Sequence, residues 1–327
     1  MQITVVVLTY NSARTVGACL ASLAAQRLRP AEVLVVDDFS ADATLAAVDA
    51  FAVRSGLPIR VLRNGSHNIS RGRNIGLAAA RTRLVAFLDS DAWAEPGWTA
   101  ALVDAFRAEP ALGIVGGDVV TAHASRFAEA VALNDAVVRE LTVSGALLVS
   151  GCNMAVDLAR LGGERFDERW AHAEDVEFVH RVERRARWAV AAGALVWHQS
   201  RVGPRGYFGQ MYRYGQWKVH YTARTGNTRA VDFVPTAVLL GAGALGLTVS
   251  PRLLLAFPAL SVAETLFVAG YRRAPVRLVP RMLAGWLVKN SGWGLGVLVG
   301  LVQQGSGRPP VPRREEPAPS TSAWPAG

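Results

Sequence analysis

Cysteine is nearly absent: Cys19 and Cys152 are the two thiols in 327 residues. Two thiols exclude a disulfide framework and a cysteine-built zinc site, and they fit a reducing compartment. Lysine is equally scarce. Of 35 basic residues all but Lys218 and Lys289 are arginine, a bias that reads as genomic rather than as a nucleic-acid signal. A basic leader is also lacking. The chain opens on MQITVVVLTY, with no positive n-region and no small-residue cleavage site, so a secretory signal is not expected. What is plentiful is apolar surface. Hydrophobic residues make up 51 % and 31 Gly come on top, against roughly 45–50 % with Gly included in a soluble domain. Whole-chain disorder is excluded, and so is a wholly ordinary soluble protein. The length predicts one or two domains with appendages, and no internal repeat is visible.

The net charge is +9, and its location matters more than its size. From residue 251 onward nine basic residues stand against three acids, so +6 of the total lies there. That surplus sits beside the most apolar stretches, which points to a membrane surface and away from a nucleic-acid partner.

Residues 1–110 alternate between buried strands and helices. ITVVVLTY (3–10), EVLVVDD (32–38), 58–62 and RLVAFLD (83–89) read as strands, the longer ones buried on both faces. Residues 13–26, 42–54 (with Ser40 as N-cap) and 70–82 read as helices. This spacing predicts βαβ units, a parallel sheet and ligands at the carboxyl ends of the strands. Beyond 110 the pattern loosens. It predicts a strand at 112–120, a helix at 125–140, strand material at 146–156, a helix at 174–187, one or two strands at 188–198 and a helix-like segment at 204–225.

Several acidic groups fall at strand or helix ends. Asp37-Asp38 either cap the next helix or accept from a nucleobase or ribose. Asp89-Ser90-Asp91 closes a strand, where two carboxylates at i, i+2 can converge on Mg²⁺ or Mn²⁺ and, through it, a diphosphate. Glu174-Asp175 either complement a helix dipole or supply a general base. His198 ends an apolar strand as a structural residue or a further metal ligand. Arg71 and Arg73 either hold a diphosphate or begin a solvated helix.

Taken in order, LTYNS (8–12), VVDDFS (35–40), RGRNIGLAAA (71–80), FLDSD (87–91), GCNMAV (151–156), FDERW (166–170), AEDVEF (173–178) and VWH (196–198) follow one another as in glycosyltransferase family 2. The chain resembles that family over about residues 1–225. The resemblance implies an α/β GT-A fold: a nucleotide-diphospho-sugar transferase with a Rossmann-like, mostly parallel sheet. It implies an inverting hexosyl transfer from a UDP- or dTDP-sugar, with Mn²⁺ or Mg²⁺ as cofactor. Residue by residue, it places Thr9, Tyr10, Asn11, Asp37, Asp38, Arg73 and Asp89 at the donor. It makes Asp91 and His198 metal ligands and Asp175 the catalytic base. Gly72 stands where the family's Arg-Asn motif usually has Ala. Gln210, Arg213 and Tyr214 resemble the QxxRW of processive polysaccharide synthases, with Tyr214 in place of Trp, so processive synthesis is not expected. These three and Glu174 are placed on the acceptor side, although residues 207–221 read equally as an amphipathic helix at a membrane interface. The competing expectations are a polyprenyl-phosphate sugar transferase and a non-catalytic nucleotide-sugar-binding scaffold. AEDVEF speaks against the first, and the full set of acids against the second.

Residues 234–249 and 253–271 are long and apolar, near the roughly 20 residues a spanning helix needs. The expectation is a membrane hairpin over 234–271 that holds the protein at the cytoplasmic face and returns the four-Arg loop 272–281 inside. A lipid-linked glycan is then the expected acceptor. Residues 282–302, with Lys289, Asn290 and Ser291 in the middle, are expected to lie in the interface or re-enter. The alternative is a buried, soluble helical domain. Glu264 reads as a helix-end acid or as an acceptor contact. The expected division is 1–225 transferase domain, 226–302 membrane-associated helices and 303–327 disordered tail.

Overall fold

The computed structural model describes residues 1–122, 125–142, 149–170, 172–199 and 203–306. They form two compact units. Residues 1–122 and the described part of 144–199 make the first; the described parts of 123–143 and 200–311 make the second.

In chain order the first unit begins β1 (Ile3–Thr9), α1 (Val16–Ala24), β2 (Glu32–Asp37), α2 (Thr44–Ser55), β3 (Ile59–Arg63), α3 (Ile69–Ala79) and β4 (Leu84–Asp89). The chain continues through β5 (Ala92–Ala94), α4 (Trp98–Ala108) and β6 (Leu112–Ala122). Helix α5 (Arg126–Thr142) belongs to the second unit. The first unit then resumes with β7 (Met154–Asp157), α6 (Leu158–Leu161), α7 (Glu174–Val182) and β8 (Arg187–Gln199). The strands form one sheet of order β3-β2-β1-β4-β7-β6-β8-β5. The first four are parallel. β7 is antiparallel to both β4 and β6, and β5 is antiparallel to β8. The sheet is therefore mixed, with four of its seven pairings parallel, because the short antiparallel β7 separates two parallel parts and β5 adds an antiparallel edge.

Alternate residues of the strands feed two cores, which is why the strand sequences are apolar without a break. Val5, Val7, Val33 and Val35 pack with Leu20, Leu23, Leu102 and Phe106. Val6, Leu34 and Val36 pack with Leu77, Phe178 and Val179 on the other face.

Ser40 does not cap α2. The helix starts at Thr44, and the Ser40 hydroxyl instead accepts from the Asn11 amide at 2.9 Å. The strand expected over 146–156 is reduced to β7; residues 143–148 and 307–327, including most of the expected tail, lie outside the described residues. Residues 188–198 fall within the single strand β8, whose register against β6 shifts across Gly193, a residue with φ +83°.

The second unit adds to α5 the helices α8 (Pro204–Thr225), α9 (Val234–Thr248), α10 (Ala256–Tyr271) and α11 (Val279–Gly305). Residues 204–225, expected in the transferase domain, belong here because α8 packs along α11. A Cβ at Gly292, Gly296 or Gly300 would meet the backbone oxygens of Phe208, Tyr212 or Gln216 at 2.8, 2.0 and 2.9 Å. The matching steps of four put one glycine per turn of α11 under each turn of α8, and the helices run parallel in near-backbone contact.

Residues 282–302 thus form part of one unbroken helix, not a re-entrant segment. Their polar middle is accounted for by partners. Lys289 lies 3.2 Å from Asp135, which also accepts from the Tyr207 hydroxyl. Asn290 donates to Glu264 at 2.6 Å and to Ser261 at 3.1 Å. Glu264 is accordingly a mid-helix group bonded to α11, not a helix-end acid. Among the described residues one helical stretch, Pro251–Tyr271, is long and apolar enough to cross a membrane. At 15 residues α9 is apolar but falls short of the roughly 20 required.

Candidate active site

The parallel registers bring the motif residues level. Thr9 pairs with Asp37, Leu8 with Asp89 and Asp37 with Arg63. At this edge the two adjacent acids part company. Asp37 is fully buried and accepts from the Thr9 hydroxyl (3.2 Å), the Ser40 amide (3.2 Å) and Arg63 (2.9 Å). Thr9 and Asp37, placed at the donor by the sequence, are thus bonded to each other, and Asp37 also to the loop after β2. Asp38 reaches the next turn and accepts from the amides of Ser66 and His67 at 3.1 and 2.9 Å. The Tyr10 and His67 rings meet edge to face with centroids 5.3 Å apart. Asn11 turns inward, its side-chain oxygen accepting from the Ala41 amide at 2.8 Å. Asn11, Phe39 and His67 all have positive φ, +48°, +59° and +49°. Left-handed non-glycine residues in three successive loops mark a cluster of backbone strain of the kind that collects at functional sites.

Helix α3 is capped by Asn68, whose side chain accepts from the Arg71 amide at 3.1 Å. Arg71 is exposed, while Arg73, two residues on, is 2 % exposed. Arg73 is ion-paired with Glu174 and lies over the rings of Phe87 and Phe166 at 5.8 and 5.3 Å. Glu174, expected toward an acceptor, is therefore a buried counter-ion for Arg73. Arg73, expected at the donor, is in turn held by this ion pair and by the two rings. The approach is so close that a Cβ on Gly151 would fall 2.4 Å from Arg73 Nη2.

Asp175 is the second residue of α7, which starts after Ala173, a left-handed residue at φ +57°. One carboxylate oxygen accepts from the Gly151 amide at 2.7 Å and the other from the Val176 amide at 2.8 Å. Burial and the adjacent Glu174 push its pKa up, against the pull of Arg73 and the two amides.

Asp89 and Asp91 flank the turn between β4 and β5. Because β5 pairs with β8 in the register Ala92–His198, the imidazole arrives beside them. His198 Nε2 is 3.3 Å from Asp91 and 3.8 Å from Asp89, and all three side chains are about one-third exposed. Burial at the strand end, reinforced by Asp91 and opposed by Arg73, raises the Asp89 carboxyl to about 6. Two carboxylates and an imidazole make a donor set suited to Mn²⁺ or Mg²⁺.

Sequence reading gave no role to Gly151, Cys152 or Asn153. The Asn153 side chain is buried, donates to the carbonyls of Asp118 and Ala194 at 2.8 Å, and accepts from Trp98 at 2.7 Å. It pins the Gly151-Cys152 turn, which supplies the amide to Asp175. The signal was present in the order GCN, but its partners lie far away in the chain. Gln210, Arg213 and Tyr214 stand on α8 in the second unit, where Gln210 donates to the Tyr214 hydroxyl at 3.1 Å.

The profile of "Glycosyl transferase family 2" matches residues 4–129. The chain is 44 % identical over 94 residues to the succinoglycan biosynthesis protein ExoO of Rhizobium meliloti, covering 29 % of this chain and 26 % of that one. It is 32 % identical over 224 residues to the pre-mycofactocin glycosyltransferase of Mycobacterium tuberculosis, covering 65 % and 46 %. The chain thus spans less than half the length of these curated relatives. Among solved structures, the mannosyltransferase PcManGT of Pyrobaculum calidifontis, in complex with GDP-Man and Mn²⁺, superposes with a TM-score of 0.57 at 22 % identity over 90 % of this chain and 87 % of that one. That likeness establishes the GT-A fold.

Proposed function

We propose that the chain is a family 2 glycosyltransferase, as the match over residues 4–129 supports, and that it is an inverting hexosyltransferase. It moves a sugar from a nucleotide-diphosphate donor to a hydroxyl of a lipid-linked glycan at the cytoplasmic face of the membrane. The observation that carries the proposal is the Gly151-Cys152 turn. Its amide fixes Asp175, while its thiol faces Asp89 and His198. A held carboxylate and a metal-type donor set thus meet at one turn.

Asp38, Tyr10 and Asn11 offer a polar and aromatic edge for the nucleoside. Asp91 and His198 would hold Mn²⁺ or Mg²⁺, with Asp89 beside the donor sugar. When bound, the cation screens the charge of the departing diphosphate. Asp175 takes the acceptor proton as the acceptor oxygen bonds to the anomeric carbon. The bond from that carbon to the phosphate oxygen breaks, and the nucleoside diphosphate leaves with the electron pair. Glu174 neutralises Arg73, so Arg73 does not cancel the basicity of Asp175 alone. The raised pKa of Asp175 suits a base that must accept a proton from an alcohol.

The membrane part of the proposal is supported by Pro251–Tyr271 and by exposed leucines such as Leu247 and Leu255. A panel of UDP-, dTDP- and GDP-sugars incubated with the full chain and Mn²⁺ tests the core of it. Metal-dependent release of the nucleoside diphosphate is expected, and Asp91→Asn should abolish it. Release that is unchanged in this variant, or absent with every donor, contradicts the assignment.

A further inference from the structure

Cys152 Sγ, a carboxylate oxygen of Asp89 and a ring nitrogen of His198 all lie within 4.8 Å of one another. They come from three places in the sheet: the end of β4, the turn before β7 and the end of β8. Cys152 is 7 % exposed, and its sulfur is 3.3 Å from the Ser150 hydroxyl. A thiol adds to a hard oxygen and nitrogen pair the one ligand that selects softer cations. Aspartate, thiolate and neutral imidazole together balance a dication and leave a fourth position open, the arrangement of many three-ligand zinc sites.

We propose that Asp89, Cys152 and His198 form a thiophilic cation site, for Zn²⁺ or Cd²⁺, distinct from the donor-side position of Asp91 and His198. Binding forms a sulfur–metal bond and releases the thiol proton to solvent; no oxidant is needed. The two positions share one imidazole. His198 Nε2 lies 3.3 Å from Asp91 and 3.8 Å from Asp89, and one nitrogen serves one cation. Occupancy by a soft cation therefore withdraws His198 from the donor-side position. This exclusion, though not the soft site itself, rests on the family 2 reading above.

The full chain, without donor, is titrated with Cd²⁺ and followed by the ultraviolet absorption of thiolate-to-cadmium charge transfer. Mn²⁺ binding is measured in parallel by loss of the free-ion paramagnetic signal. Wild type should give a band that saturates at one Cd²⁺ per chain and should release Mn²⁺ as it grows. Cys152→Ser and Cys152→Ala should lose the band and bind Cd²⁺ more than about 100-fold more weakly, beyond the range for loss of a supporting outer partner, while still binding Mn²⁺. Cys19→Ser should keep the band. His198→Ala, which leaves the thiol in place, should weaken Cd²⁺ and provides the test if neither Cys152 variant folds. A band that persists in Cys152→Ser, Cd²⁺ affinity unchanged in His198→Ala, or no band in a wild type that binds Mn²⁺ overturns the site. A band without release of Mn²⁺ overturns the exclusion. A wild type that binds neither ion overturns the donor-side metal assignment as well.

Discussion

Asp175 has both oxygens engaged by backbone amides; an isosteric amide keeps one of those two bonds, because its NH2 cannot accept, and loses the basicity. Asp175→Asn is expected to retain donor binding and to lower transfer about 10²–10⁴-fold, read from single-turnover rates. Asp89 gives a stability signature. Its carboxyl titrates near 6 in the folded chain, above its ordinary range, so the fold holds a proton that the unfolded chain has already lost. Stability from this group is thus fully present at acid pH and declines as pH rises from about 4 to about 6. Wild type should lose roughly 1–2 kcal/mol relative to Asp89→Asn across that window, allowing for partial exposure of the carboxylate. Paired melting curves at several pH values check this. At this scale the sequence was legible where a motif coincides with a strand end, as at Asp89 and Asp91. It was not legible where two neighbours divide the work. Nothing local tells that Asp37 turns inward and Asp38 outward. Nor does it show that Glu174 finds Arg73, its partner 101 positions away.

The elements show the same division. Four parallel strands with helices between them follow from period and length. The antiparallel β7 does not, because four residues carry no pattern of their own. The α8–α11 contact was hidden for another reason: glycines in an apolar stretch read as flexibility until the backbone they admit is known. At Gly296 a Cβ would fall 2.0 Å from the Tyr212 carbonyl oxygen, so Gly296→Ala must push the helices apart. It should destabilise the second unit by about 1–3 kcal/mol, as overpacking does. Gly241→Ala, with open space around it, should be neutral or slightly stabilising through helix propensity. Denaturation in detergent, followed by helical circular dichroism, distinguishes the two.

For the whole molecule, the expected boundary at 225 misplaces a helix: a cut there strips α11 from α8. Apolar exposure on Pro251–Tyr271, together with Arg272, Arg273 and Arg277 beyond it, bears on how the protein is held. Each such Arg near an anionic surface contributes about 1 kcal/mol, which salt screens, whereas inserted apolar surface is insensitive to salt. Native membranes washed in high salt should keep the protein, and detergent should release it. Release by salt alone would mean that 251–271 does not insert.

The placement of α5 has a consequence for the order of synthesis. Asn134 of this helix bonds to the Met282 carbonyl, 148 residues further along. At roughly 5–20 residues per second on the ribosome, α5 waits about 7–30 s for α11 to be made. The last strand of the first unit ends at Gln199, so that unit can close well before α11 emerges. For that interval the nascent chain carries the sheet of the first unit and a helix that lacks its α11 partner, although α8 and α10 are made before α11. Ala130 and Val137, later packed with Met282 and Trp286, have as yet no neighbours from α11. The stretch around 126–142 is therefore where chaperone capture competes with folding, and the chain escapes that competition only when α11 is complete.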